Sequence, residues 1–189
     1  MVGVTPGHTV PMRRTTAELE ALTERILAAP KDAGPVEMIV RRPAEGEREA
    51  VERAELDPVR GLVGDNWVER VDREGNPHFA AQLTMMNARV ADAVAVSRDR
   101  WALAGDQVYV DLDISHENLP SGTRLLIGEA VIEISGTPHT GCVKFAGRFG
   151  AEALRFANVG LGRDHRFRGV NTTIVSGGVF SVGDKVRKV

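Results

Sequence analysis

Apolar residues early in the chain recur at helical spacing and then switch to alternation. In "TTAELEALTERILAAP" Leu19, Leu22, Ile26 and Leu27 fall on one helical face, Thr15 and Glu18 form a capping box, and Pro30 ends the run. This predicts an amphipathic helix, preceded by an arm. After "KDAGP" the pattern changes: "VEMIVRR" (Val36–Arg42) alternates and is rich in β-branched residues, and "AEGERE" supplies a polar turn.

From there strand patterns dominate. Val108, Val110, Leu112 and Ile114 share one face of "QVYVDLDI" at period two, and "TRLLIGEAVIEIS" gives two runs broken at Gly128. The closing "TTIVSGGVFSVGDKVRKV" gives two or three short runs punctuated by Gly177, Gly178 and Gly183. Helical spacing returns at Met86–Val96 and at Ala151–Asn158, just after Gly150. Many short strands with glycine at the corners, and no strand–helix alternation, predict a mainly β fold. Its form is a closed or nearly closed β-barrel with a few peripheral α-helices. Residues 1–35 are expected to form the arm and helix, and residues 36–189 the barrel domain.

Composition narrows the function. The 189 residues are 42% hydrophobic and 26% charged, enough for a core that needs neither disulfide nor structural metal. One cysteine cannot make an internal disulfide, and its solitude points to a reducing compartment, with the cytoplasm expected. Residues 1–14 lack the apolar stretch of roughly 7–15 residues that a signal peptide needs, and Arg13–Arg14 runs into polar "TTAELE". No run approaches the ~20 apolar residues of a membrane span. A net charge of −2 with dispersed, exposed-looking basic pairs at Arg13–Arg14 and Arg41–Arg42, and 5% aromatic residues, argues against nucleic acid as a partner.

Several chemistries are excluded by pattern. "GLGRDHRFRG" has His165 where a dinucleotide fingerprint needs its third glycine. There is no Gly-Lys-Ser/Thr phosphate loop, His-Glu-x-x-His, paired-cysteine spacing or Gly-x-Ser-x-Gly elbow. The five histidines, His8, His78, His116, His139 and His165, are scattered. Asp106 and Asp184 each follow glycine before a β run and read as turn residues. Met85, Met86 and Trp67 read as core or pocket wall.

What is left is Cys142 in "PHTGCVKFAGRFG", with His139, Lys144 and Arg148 nearby in the chain. A thiol reacts as thiolate, which cations stabilise, although a free cysteine is also an ordinary core residue. Extended backbone through Cys142 would put Lys144 on the sulfur's side, and a bend at Thr140–Gly141 would bring His139 to it.

The run "GDQVYVDLDISHENLPSGTRLLIGEAVIEISGTPHTGCVKFAGRFGAEALRF" resembles the MOSC family, the domain named after the C-terminal part of molybdenum-cofactor sulfurases. "GLVGDNW", "QLTMMNARV" and "RGVNTTIVSGGVFSVGDKVRKV" are similar to further boxes of that family, in the same order, so the likeness spans residues 36–189. "GDNW" departs from the arginine- and histidine-rich continuation of the hydroxylaminopurine-resistance relatives. The resemblance implies a barrel-like fold and a cysteine, at Cys142, that carries sulfur as a persulfide or ligates molybdenum.

On that basis the expected function is a sulfur carrier or sulfurtransferase. It would take sulfur from a cysteine desulfurase or a low-molecular-weight thiol and pass it to a molybdenum enzyme or a small molecule. Cys142, His139 and Lys144 are the catalytic candidates; Arg148, Arg168, Asp65, Asn118 and His116 are candidates for holding an anionic partner such as molybdopterin. No pyridoxal phosphate site is expected in this chain. Two other readings stay open: a molybdenum–pterin binding module with Cys142 as metal ligand, and a thiol-dependent detoxifying transferase or lyase.

Overall fold

The computed structural model describes residues 13–69, 71 and 74–189; residues 1–12 of the expected arm, with His8, lie outside the described residues. The barrel predicted from alternation is present and closed. In order around the ring, its seven strands are β1 (Ala33–Arg41), β11 (Lys185–Lys188), β7 (Arg124–Ile127), β8 (Ala130–Ile134), β9 (Val170–Ser176), β5 (Leu83–Asn87) and β6 (Val108–Val110), which returns to β1. Only the β5–β6 pair in this ring is parallel. Strand β2 (Glu49–Val51) extends β1, while β3 (Arg53–Asp57), β4 (Gly61–Leu62) and β10 (Gly178–Ser181) form a separate three-stranded sheet.

Period-two geometry divides the apolar residues between two cores. Met85, Val108 and Val110 join the barrel interior, while Met86 and Tyr109 face a second layer packed under helices. Strand β5 is therefore buried along its whole length. This corrects the expected helix start at Met86: a strand covered on both faces shows no alternation, and the helix, α3 (Ala88–Ala95), begins only after Asn87 caps it. The strand expected over residues 107–114 ends at Val110, yet Leu112 and Ile114 still enter the interior.

The N-terminal helix is two short helices, α1 (Thr16–Glu20) and α2 (Thr23–Leu27), and the capping box at Thr15 and Glu18 is formed. Leu19 and Ile26 sink into the outer core, whereas Leu27 is exposed. Two helices lie in sequence after the cysteine, α4 (Val143–Phe149) and α5 (Ala151–Asn158), followed by the single turn α6 (Leu161–Asp164). Phe145, Phe149, Ala153 and Ala157 pack them into the outer core with Phe167, which fixes the start of α4 against the barrel. No helix among the described residues is long and apolar enough to cross a membrane.

Two glycines test this packing in opposite directions. A Cβ on Gly34 of β1 would lie 1.8 Å from the Asp111 carbonyl oxygen, so Gly34→Ala is expected to cost ~3 kcal/mol or more in urea unfolding. Gly147 is helical and a Cβ there meets nothing within 4 Å. Gly147→Ala is expected to add about 0.5–1 kcal/mol, or a few degrees in Tm.

Candidate functional site

Cys142 is exposed and occupies the N-cap of α4, with extended backbone (φ −120°, ψ −179°). The chain turns helical at Val143, so Lys144 reaches the site from the first turn of a helix rather than along a strand, which corrects the period-two reading. The backbone N–H of Phe145 does most to bring the thiol below its ordinary pKa. Partial burial opposes it, and the Lys144 N–H and the charges of Arg168 and Arg148 reinforce the lowering.

Behind the cysteine lies a charged cluster that the sequence did not announce. Asp106 is fully buried; one carboxylate oxygen accepts from Arg168 Nη1 at 2.6 Å and the other meets His139 Nε2 at 2.8 Å. Burial pushes this carboxyl up, but the Arg168 guanidinium and then the His139 ring, by charge and hydrogen bonds, hold it below its usual range. Because the ionised carboxylate only accepts, it places the proton of a neutral His139 on Nε2 and leaves Nδ1 as the basic nitrogen. Arg168 also donates to the Ala104 carbonyl, and Arg148 to that of Leu103, so both guanidiniums are aimed by the segment entering β6.

A second buried pair flanks the first. Arg42 binds Asp65 in a two-pronged arrangement, Nε to Oδ2 and Nη2 to Oδ1, both at 2.8 Å. Asp65 also accepts from the Trp67 N–H, so it caps a turn as well as pairing. Arg42 is thus buried, not the exposed basic residue its sequence suggests. These elements line an open groove of about 930 Å3 whose walls include Cys142, Lys144, His139, Arg148, Arg168 and Arg42. Glu45 and Glu69 also line it, but Arg42, Arg48, Lys144, Arg148 and Arg168 outnumber them, so its net cationic surface suits an anionic partner.

Not every candidate converges there. His116 lines a different cavity, which shares His139, Thr140 and Arg168 with the groove. Asn118 lies outside both, bonded to the carbonyls of Lys31 and Asp113 and to Lys188. Asp65 stands behind Arg42 rather than in the groove wall. Asp106 and Arg42 were missed because a Gly-Asp pair before a strand reads as a turn and a second arginine in a pair reads as surface. The signal available was weak: one aspartate in a chain segment that otherwise becomes wholly buried.

The fold can be set beside known structures. No protein-family model matches the chain, and no curated protein matches it in sequence. Among solved structures, the YuaD protein from Bacillus subtilis is similar at TM-score 0.62 and 14% identity, covering 82% of this chain and 94% of that one. YiiM from Escherichia coli is similar at 0.55 and 19%, over 83% and 69%. YiiM from Geobacillus stearothermophilus is similar at 0.52 and 14%, over 82% and 75%. The chain has a MOSC-like fold. At these identities the likeness speaks for the fold alone.

Within this MOSC-like barrel, the Asp106 cluster makes two measurable claims. Asp106→Asn strands the buried Arg168 charge and is expected to cost about 3–5 kcal/mol in urea unfolding. The wild-type carboxyl is depressed on folding, so its stabilising contribution is complete above the unfolded pKa of about 3.9 and is lost as pH falls through the folded value. The acid-range loss of stability should be smaller in the variant, leaving what carboxylates such as Glu18 and Asp57 still contribute. Arg148→Gln removes one of the charges acting on the thiol, so the pH profile of iodoacetamide alkylation at Cys142 should move upward.

Proposed function

We propose that the protein is a sulfur carrier or sulfurtransferase working through Cys142. The observation that supports this most is an exposed cysteine whose pKa is lowered by the start of α4 and by Arg168 and Arg148, at the wall of a cationic groove. The Cys142 thiolate attacks the terminal sulfur of a donor persulfide; the donor's S–S bond breaks, a new S–S bond forms at Cys142, and the donor leaves as a thiolate. No net oxidation occurs. In the second half, an acceptor thiolate or other nucleophile takes the outer sulfur and Cys142 leaves as thiolate, stabilised by the same cations. His139, held through Nε2, has Nδ1 for moving the proton of the incoming or outgoing thiol. A cysteine desulfurase or a low-molecular-weight persulfide fits as donor, a molybdenum enzyme or small molecule as acceptor, and the cytoplasm as setting.

A molybdenum–pterin reading has its own support. Asn66 Oδ1, Trp67 Nε1 and Arg168 Nε are buried without a hydrogen-bond partner and belong to residues lining the groove. A pterin, with ring donors and acceptors and a phosphate, fits that set. Cys142 would ligate the metal, and Lys144 and Arg168 would hold the phosphate. The bound group would supply oxygen-atom and electron transfer; the protein's own residues would bind and orient it.

Loading decides between these readings. Incubated with a cysteine desulfurase and cysteine, the wild-type chain should gain the mass of one sulfur atom, removable by a thiol reductant, and Cys142→Ala should gain none. A wild-type chain that stays unmodified while a control acceptor is loaded rejects sulfur transfer. Molybdenum bound in proportion to protein from molybdate-fed cells favours the second reading.

A further inference from the structure

Beside the thiol groove lies a second, smaller cavity of about 300 Å3, bounded by the loop 135–140 on one side and by α6 and the residues after it on the other. It is at the small end of ligand sites, which run about 300–1,000 Å3. Cys142 is not among its walls. No aspartate or glutamate lines it among the described residues, whereas Arg163, Arg166, Arg168, His116 and His139 all do.

These cations are not equivalent. Arg168 and His139 are compensated by Asp106, and Arg163 by Asp164 at 3.3 Å. Arg166 is partly buried and has no carboxylate partner among the described residues; its Nη1 donates only to the carbonyls of Leu119 and Ile114. Its backbone is left-handed (φ +53°) because it closes the C-terminus of α6, where the Phe167 N–H donates to the Gly162 carbonyl, and its side chain lines the cavity. Burial lowers the Arg166 pKa; burial and then the Arg166 charge lower that of His116, against the opposing charge of Asp164. A partly buried guanidinium at a cavity wall with no carboxylate partner among the described residues is one that an anion would complete. The remaining walls combine the apolar Pro138, Ala157 and Val170 with Ser135, Thr137, Thr140, Asn158 and Asn171; the two asparagine amides already donate to backbone carbonyls, and the apolar part has room for a ligand body that a bare inorganic ion lacks.

We propose that this cavity binds a small organic anion, a carboxylate with a compact apolar body, through the Arg166 guanidinium and the His116 ring. The carboxylate completes the unpaired charge and the body covers the apolar wall. The cavity shares His139, Thr140 and Arg168 with the thiol groove, but the proposed contacts are Arg166 and His116, which the sulfur chemistry at Cys142 does not use, so binding here is tested separately from the function proposed above.

Calorimetric titration of the full chain with sodium benzoate, benzamide and inorganic phosphate tests this. Benzoate should bind saturably, with benzamide weaker by about tenfold or more, the worth of a charge-assisted contact, and phosphate weaker by about tenfold, because it keeps the charge but has no apolar body to cover the wall. Arg166→Gln should weaken benzoate by a similar factor, and Arg124→Gln, at an exposed arginine outside the cavity, should not. Benzamide or phosphate binding as well as benzoate, no benzoate binding, or an unaffected Arg166→Gln overturns the proposal. Should Arg166→Gln fail to fold, the His116 ring in the wild-type chain serves instead. Saturating benzoate should raise its NMR titration midpoint, and an unmoved midpoint overturns the proposal.

Discussion

A carboxylate taken wholly out of water must be paid back in charge and hydrogen bonds, and Asp106 meets that demand with Arg168 on one oxygen and His139 on the other. Much else is arranged around it. Gly169 follows Arg168 at φ +108°, and a Cβ there would lie 2.7 Å from the Met85 carbonyl oxygen and 3.1 Å from Asp106 Oδ1, so glycine is needed for the chain to pass. Ala104 and Gly105, just before Asp106, present carbonyls to Arg168 and to Arg42. The cluster thereby sets where Arg168 delivers its charge to the cysteine and which nitrogen of His139 is left basic. Well-packed apolar residues often stabilise a core as well as a buried ion pair does; what this pair adds is a fixed position for Arg168, whose charge joins the α4 amides in lowering the Cys142 pKa.

The barrel supplies the rigidity such tuning needs. Strands β5 and β6 are buried on both faces, their inward residues filling the barrel and Met86 and Tyr109 locking the helical layer onto its outside. Helix α4 is anchored in that layer by Phe145 and Phe149, whose rings meet at 4.9 Å, and Arg168 lies over the Phe145 ring at 5.1 Å. The first amides of α4, which act on the thiol, are therefore held by aromatic packing on one side and by the buried ion pair on the other.

How much of this was legible follows from what each pattern can encode. Alternation marked β1, the β7–β8 hairpin and the strand beginning at Val108, and the closed barrel was readable from short strands with glycine corners. The capping box at Thr15 was readable because it is local. Strand β5 was not, because residues buried on both faces carry no period, and α4 was not, because two glycines and a short length hide its start. The cysteine and its neighbouring cations were visible by chain proximity, but Asp106, thirty-three residues before His139, becomes their partner only once β6 and the loop 135–140 have folded together. Arg42 was hidden for the same reason: its partner Asp65 is twenty-three residues away.

The claim on which the rest turns is that the folded chain holds Cys142 more acidic than a free thiol. Following thiolate absorbance near 240 nm against pH, with Cys142→Ser subtracted, measures it in the folded protein and again in urea. The account predicts a folded-state midpoint below the value found in urea. A midpoint equal to the unfolded one, or above it, would contradict it.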